Sequence, residues 1–207
     1  MRELFWSNPK AIDFLEKELH DGRVVLAEGD TVLGLLADVS EKGVVQLDHI
    51  KGRSQKPYLI LVGDPKKAFN FIEIDPKKVF QVEKLINICW PGPVTLIFKA
   101  KNEVSSQAKS AQGNIALRIP DHAGLLQLLS RFDALFSTSA NRSGQPVPNG
   151  LGQVDSHIKD SVACIVVNDA HERAESDLPS TIIDCTGDKL IVVRKGAFEL
   201  TRLKSFF

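Results

Sequence analysis

An excess of charge of one sign is what this sequence most plainly lacks. Its 26 basic side chains are matched by 26 acidic ones, so the surface as a whole carries no broad electrostatic footprint for DNA, RNA or an anionic membrane. Any anion site must therefore be local. Long apolar runs are also missing: none approaches the roughly 20 residues that span a bilayer. The start of the chain, Arg2-Glu3 followed by a polar run over 7–10, holds no apolar core of a signal peptide. No membrane partner is expected, and the cytoplasm is the expected location. Cysteine is scarce. Cys89, Cys164 and Cys185 are odd in number, far apart and set in apolar surroundings, which is neither a disulfide framework nor a zinc spacing. They are expected to be buried thiols in a reducing compartment.

Several chemical signatures are absent too. Gly29 and Gly34 have the spacing of the two P-loop glycines, but Leu35-Leu36 stand where that loop needs Lys and Ser/Thr. Neither G-x-G-x-x-G nor G-x-S-x-G occurs. The five histidines, His20, His49, His122, His157 and His171, form no H-E-x-x-H or other ligand pair, so no metal site is expected from them. Nothing positively supports a Ser-His-Asp triad. Internal repeats, heptads and low-complexity tracts are missing as well, so nothing marks a separate interaction module.

What is present is an ordinary globular composition, 207 residues with 43% hydrophobic and 25% charged content, enough for one sizeable core. A single domain over 1–207 is expected. Asn8-Pro9 predicts a helix start, with Ile12, Leu15 and Leu19 on one face until Gly22. Residues 24–27 read as a buried strand, 41–50 as a helix, and 58–62 as a second strand before the turn Gly63-Asp64-Pro65. Asp75-Pro76 predicts a helix whose stripe is Val79, Val82, Ile86 and Cys89, ended by Trp90-Pro91-Gly92-Pro93. Strands are predicted over 94–98 and 114–119, with Asp121 capping a helix that runs to about 131. Leu135-Phe136 leads into a hydroxyl-rich run, and three more apolar segments follow at 163–167, 181–183 and 190–193. Alternating strands and helices define an α/β fold with a largely central sheet.

Polar clusters fall at the ends of several predicted strands, where open α/β sheets bind ligands. Lys51-Gly52-Arg53 places an ammonium and a guanidinium around a glycine, a geometry that reaches phosphate oxygens; it equally describes a solvated helix end. Ser137-Thr138-Ser139-Ala140-Asn141-Arg142-Ser143-Gly144 offers hydroxyls to orient a ligand and small residues to admit one. It also fits a turn whose side chains satisfy their own backbone. Leu117-Arg118-Ile119 sets a charge inside an apolar strand, which demands an anionic partner: Asp121 in a structural role, or a ligand carboxylate or phosphate. Arg194 is the fourth cation of this kind.

Taken in order, these stretches resemble the successive motifs of the YrdC family (YrdC/YciO/YwlC-like), the threonylcarbamoyl-AMP synthases that begin the threonylcarbamoyl modification of adenosine in tRNA. The similarity is collinear from about Gly22 to Ala197. It runs through Gly29-Asp30-Thr31-Val32-Leu33-Gly34, Lys51-Gly52-Arg53, Trp90-Pro91-Gly92-Pro93-Val94-Thr95-Leu96, Leu117-Arg118-Ile119-Pro120-Asp121-His122, the hydroxyl run beginning at Ser137, Pro179-Ser180-Thr181-Ile182-Ile183-Asp184 and Val193-Arg194-Lys195-Gly196. The resemblance implies a twisted mixed α/β sheet flanked by helices and enclosing a positively lined cavity. It implies that Lys51, Arg53 and Arg194 hold ATP phosphates, with Lys51 and Arg53 as the catalytic cations, and that Ser139 and Asn141 contact the nucleotide. Arg118, Ser137, Ser180 and Thr31 then receive L-threonine or its carbamate.

The implied reaction joins ATP, bicarbonate and L-threonine, with Mg²⁺ accompanying ATP, and tRNA or tRNA-modification proteins as possible partners. The carbamate formed from threonine and bicarbonate is already a nucleophile toward the α-phosphorus, so alignment and charge neutralisation are needed rather than a strong base. The first motif departs from the family pattern, since Glu28-Gly29 replace Pro-Thr and Leu33 replaces an aromatic; separately, after the second strand, Val62 stands about where many members carry histidine. Two alternatives follow from these departures, namely a non-catalytic RNA- or ribosome-binding relative and carbamoyl-adenylate chemistry on another acceptor.

Overall fold

The computed structural model describes residues 2–52, 57–169 and 178–206. Among them the strands are β1 (Arg2–Phe5), β2 (Val25–Ala27), β3 (Gly34–Asp38), β4 (Leu59–Leu61), β5 (Val94–Lys99), β6 (Asn114–Arg118), β7 (Leu135–Ser139), β8 (Cys164–Val167), β9 (Thr181–Asp184) and β10 (Ile191–Arg194). They form one sheet in the order β1-β8-β2-β3-β7-β4-β6-β5-β9-β10. It is mixed: β1/β8, β2/β8, β4/β6 and β5/β9 are parallel, and the remaining pairs antiparallel.

The helices are α1 (Ala11–His20), α2 (Glu41–Lys51), α3 (Pro65–Phe71), α4 (Val79–Cys89), α5 (Ala123–Leu129) and α6 (Ser156–Ser161). Local chemistry sets their ends. At the start of α2 the Ser40 hydroxyl accepts the Gly43 N–H at 3.2 Å, and Gly52 ends the helix in the left-handed region at φ 62°, a conformation glycine adopts without a Cβ clash. A 3₁₀ turn, Pro76–Lys78, leads into α4, with the Asp75 carboxylate accepting from Lys77 N.

Three expectations are corrected. A strand, β1, precedes the first helix: its charged residues sit on an edge strand, where alternation leaves only Leu4 buried. The turn at 63–65 continues into α3, because Asp64 accepts the Lys67 N–H at 2.9 Å and caps it. The cap of α5 is His122 rather than Asp121. Its Nδ1 accepts the Leu125 N–H at 3.1 Å, while Nε2 donates to Asn168 Oδ1 at 2.7 Å. The backbone N–H of Asp121 is instead donated to the Asp30 carboxylate at 2.9 Å.

Alternation along the strands divides the side chains between two cores. Leu35, Ala37, Ile60, Leu96, Leu117, Phe136 and Ile183 pack on one face against Leu47 and Ile50 of α2, Ala68 of α3, Leu85, Ile86 and Cys89 of α4, and Ile158 of α6. On the other face Leu36, Leu61 and Leu135 pack with Ile12, Leu15 and Leu19 of α1 and Leu125, Leu128 and Leu129 of α5. α1 and α5 cover only part of that second face. The polar residues of β6, β7, β9 and β10 lie where the cover stops.

Candidate active site

A cavity of about 280 Å³ opens on the partly covered face, and its lining follows the strand register. Leu36 pairs with Ser137, and Ser137 with Leu59 on the next strand. Leu61 pairs with Arg118, and Arg194 with Ile182. All of these residues line the cavity, together with Gly29, Thr31, Thr95, Ser139 and Ser180. The period of two therefore explains the charge inside the apolar 117–119 segment: Leu117 enters the first core and Arg118 the cavity wall.

Arg118 is only 5% exposed. Its Nη2 donates to Asp30 Oδ1 at 2.8 Å and its Nη1 to Thr31 Oγ1 at 2.9 Å, while Nε is buried without a partner. The anionic partner is thus Asp30, not the Asp121 that lies closer in sequence. Burial pulls the guanidinium pKa down and the neighbouring Asp30 charge opposes that pull. Arg194 donates through Nε and Nη2 to the Ser180 carbonyl at 3.1 and 2.8 Å and through Nη2 to the Ser180 hydroxyl at 3.2 Å. Ser180 Oγ also shares a hydrogen bond with Thr95 Oγ1 at 2.9 Å. Burial lowers the Arg194 pKa, and repulsion from Arg118 acts in the same direction. Two cations that repel across a confined polar cavity create a place for an anion.

A second, larger cavity of about 620 Å³ adjoins the first at Val147 and is lined by Lys51, Gly52, Asn141, Arg142, Ser143 and Gln145 among others. The Lys51 ammonium, 3% exposed at the end of α2, donates to the Ser139 carbonyl at 2.6 Å and to Asn141 Oδ1 at 3.1 Å. Ser139 Oγ donates to the same Asn141 oxygen at 2.5 Å, and Asn141 Nδ2 to the Gln145 carbonyl at 2.5 Å. Of the hydroxyl run, 137–139 is strand with Ser137 and Ser139 lining the smaller cavity, and 140–145 is a turn partly satisfied by its own side chains.

The expected site residues gather in these two cavities. Lys51 and Asn141 line the larger; Thr31, Arg118, Ser137, Ser139, Ser180 and Arg194 line the smaller. Arg53 lies outside the described residues. Arg194, expected beside the nucleotide phosphates, lines the smaller cavity with Arg118, Ser139 and Ser180. Sequence reasoning did not single out Asp30, Thr95 or Gln145 as site residues. Of the first-motif departures, Gly29 and Leu33 line the smaller cavity; Val62, the separate departure after the second predicted strand, is fully buried in the first core. The Glu28 carboxylate accepts the Asn168 N–H at 2.8 Å. Among the described residues no group of three or more His, Cys, Asp or Glu side chains is placed to hold a metal ion, and no helix is long and apolar enough to cross a membrane.

A mixed sheet with two adjoining polar cavities, Lys51 buried in the wall of one and Arg118 in the wall of the other, defines an α/β protein with two cation-bearing cavities next to each other. The pattern of the Sua5/YciO/YrdC family, described as telomere recombination, matches residues 17–196, and the chain belongs to that family. A putative threonylcarbamoyl-AMP synthase of Methanocaldococcus jannaschii is 30% identical over 196 residues, covering 94% of this chain and 89% of the relative. Another, from Mycobacterium tuberculosis, is 32% identical over 184 residues, covering 88% and 82%. In fold, the chain resembles Pyrococcus abyssi Sua5 complexed with L-threonine, at TM-score 0.85 and 24% identity; it is covered over 99% of its length and spans 60% of that chain. It also resembles Escherichia coli YciO, at TM-score 0.79 and 21% identity, over 100% of this chain and 98% of the other.

Proposed function

We infer that the protein is an L-threonylcarbamoyladenylate synthase. Relatives named for that activity at 30% and 32% identity support the reading, and one observation carries it at the level of chemistry. The two cavities adjoin at Val147, and the Ser139–Asn141 hydrogen bond links a residue lining the smaller to one lining the larger, which supports a nucleotide and an acceptor held next to one another. L-threonine and bicarbonate form a carbamate with loss of water. A carbamate oxygen then bonds to the α-phosphorus of ATP as the bond to the β-phosphate oxygen breaks and pyrophosphate leaves.

Each residue contributes binding, orientation or charge. Lys51, with Arg53, holds the triphosphate, and Asn141 and Ser139 fix the nucleotide at the junction. Arg118, Thr31, Ser137 and Ser180 receive the threonine carboxylate and carbamate. Arg194 serves the same junction from the acceptor side, where it neutralises charge as the two anions approach. Mg²⁺ would belong to the ATP substrate and would supply charge neutralisation on its phosphates beside Lys51 and Arg53. The chemistry requires placement of groups already reactive, which agrees with a site made of cations, hydroxyls and an amide. Transfer of the threonylcarbamoyl group to tRNA adenosine follows with tRNA-modification proteins as partners, in the cytoplasm.

Pyrophosphate release, followed continuously, tests the reading. Release that requires ATP, threonine and bicarbonate together and is lost in a folded Arg53→Ala protein is the expected result. Release without threonine, or full activity in Arg53→Ala, would overturn it.

A further inference from the structure

We propose that Asp30 is a positioning residue for the acceptor cavity: it sets the orientation and net charge of the Arg118 guanidinium that meets the acceptor's anionic end. The proposal rests on the function inferred above and extends it to a residue that touches no substrate itself.

The geometry is that of a brace. Asp30 lies between β2 and β3, and Arg118 is the last residue of β6, so the two are brought together only by the sheet. Both carboxylate oxygens are engaged, Oδ1 by Arg118 Nη2 at 2.8 Å and Oδ2 by the Asp121 N–H at 2.9 Å. The carboxylate thus grips both the side chain and the backbone just beyond its strand. Each side chain of the pair is 6% exposed. At that burial an ion pair contributes geometry more than net stability, and a guanidinium fixed by two different acceptors is pre-organised for a planar anion. Nη1 is held by Thr31 and Nη2 by Asp30. Since each terminal nitrogen carries two N–H groups, one on each is left over.

Charge points the same way. Arg118 and Arg194 repel one another, and the carboxylate offsets one of the two positive charges. The three groups together carry a net charge of about +1, matched to a single carboxylate or carbamate rather than to a polyphosphate. Removing the Asp30 charge leaves two uncompensated cations and lets the guanidinium turn away from its partner.

The test separates positioning from simple support of the fold. In Asp30→Asn the KM for threonine is expected to rise about tenfold or more, the effect of losing one charge-assisted hydrogen bond, while the KM for ATP stays within about twofold. In a double-mutant cycle, Asp30→Asn added to Arg118→Ala is expected to change the threonine KM no further, because its effect passes through that side chain. Should Asp30→Asn fail to fold, Asp30→Glu keeps the charge and displaces it by one methylene, and it is expected to show the same split between the two substrates. An unchanged threonine KM in a folded variant, equal rises for both substrates, or effects that multiply in the cycle would overturn the proposal. A wild-type protein that makes no adenylate with threonine would instead remove the functional reading, and this proposal with it. Wild-type activity combined with a flat threonine KM in the variants removes the positioning role alone.

Discussion

Lys51 shows how one residue joins fold to chemistry. Its ammonium donates to the Ser139 carbonyl and to the Asn141 amide oxygen, and the residue is buried in the wall of the larger cavity. Replacing it by methionine preserves the apolar stem and removes the charge. In Lys51→Met the kcat/KM for ATP is expected to fall by about a hundredfold, the order seen when one charge-stabilising donor is removed, with the threonine KM nearly constant; initial rates over both substrates check this. The cysteines take the opposite part. Burial pushes the Cys89 and Cys164 thiols up to about 12 and raises Cys185 as well, which leaves them protonated near neutrality and unsuited to nucleophilic work. Their apolar surroundings made that legible in the sequence. Asp30 was not legible: it stands 88 positions from Arg118, and only the strand order reveals which carboxylate of several meets the buried guanidinium.

At the scale of the element, α5 and the first motif fit one another. A Cβ added at Gly29 would lie 2.7 Å from Leu125 Cδ1, so the leucine of α5 occupies the space that a side chain at position 29 would take, and both line the smaller cavity. The departure at Gly29 is thereby accompanied by a filled wall rather than a hole. Gly29→Thr is expected to lower stability by about 1–3 kcal/mol, the range for overpacking a close-packed site, and Leu125→Ala in the same chain to relieve the clash; chemical denaturation of the three proteins measures both. The local rules that read α2 and α4 from caps and stripes worked because those signals lie within a few residues. The same rules assigned the α5 cap to Asp121, because a carboxylate is the commoner cap, whereas Asp121 is engaged with Asp30 through its backbone and His122 takes the position.

Across the whole molecule, the sheet is what converts scattered motifs into a site. Arg118, Ser137, Ser180 and Arg194 belong to β6, β7, the approach to β9 and β10, and the order β7-β4-β6-β5-β9-β10 lays them along one face. The α/β class and most strand positions could be read from apolar runs. Strand order could not, since it depends on pairings such as β5 with β9 that no local pattern records. Nor could the smaller cavity, which lies where α1 and α5 leave part of one face uncovered. With equal numbers of acidic and basic residues, recognition rests on these local cations rather than on a global field.

If both cavities are filled in one reaction, mass spectrometry of the small molecules formed from ATP, Mg²⁺, L-threonine and ¹³C-bicarbonate will reveal the joined product. Threonylcarbamoyl-adenylate carrying the label in its carbamoyl carbon is the expected product. ATP bound by the wild-type protein, with threonine and bicarbonate present and no labelled adenylate formed, would contradict the account.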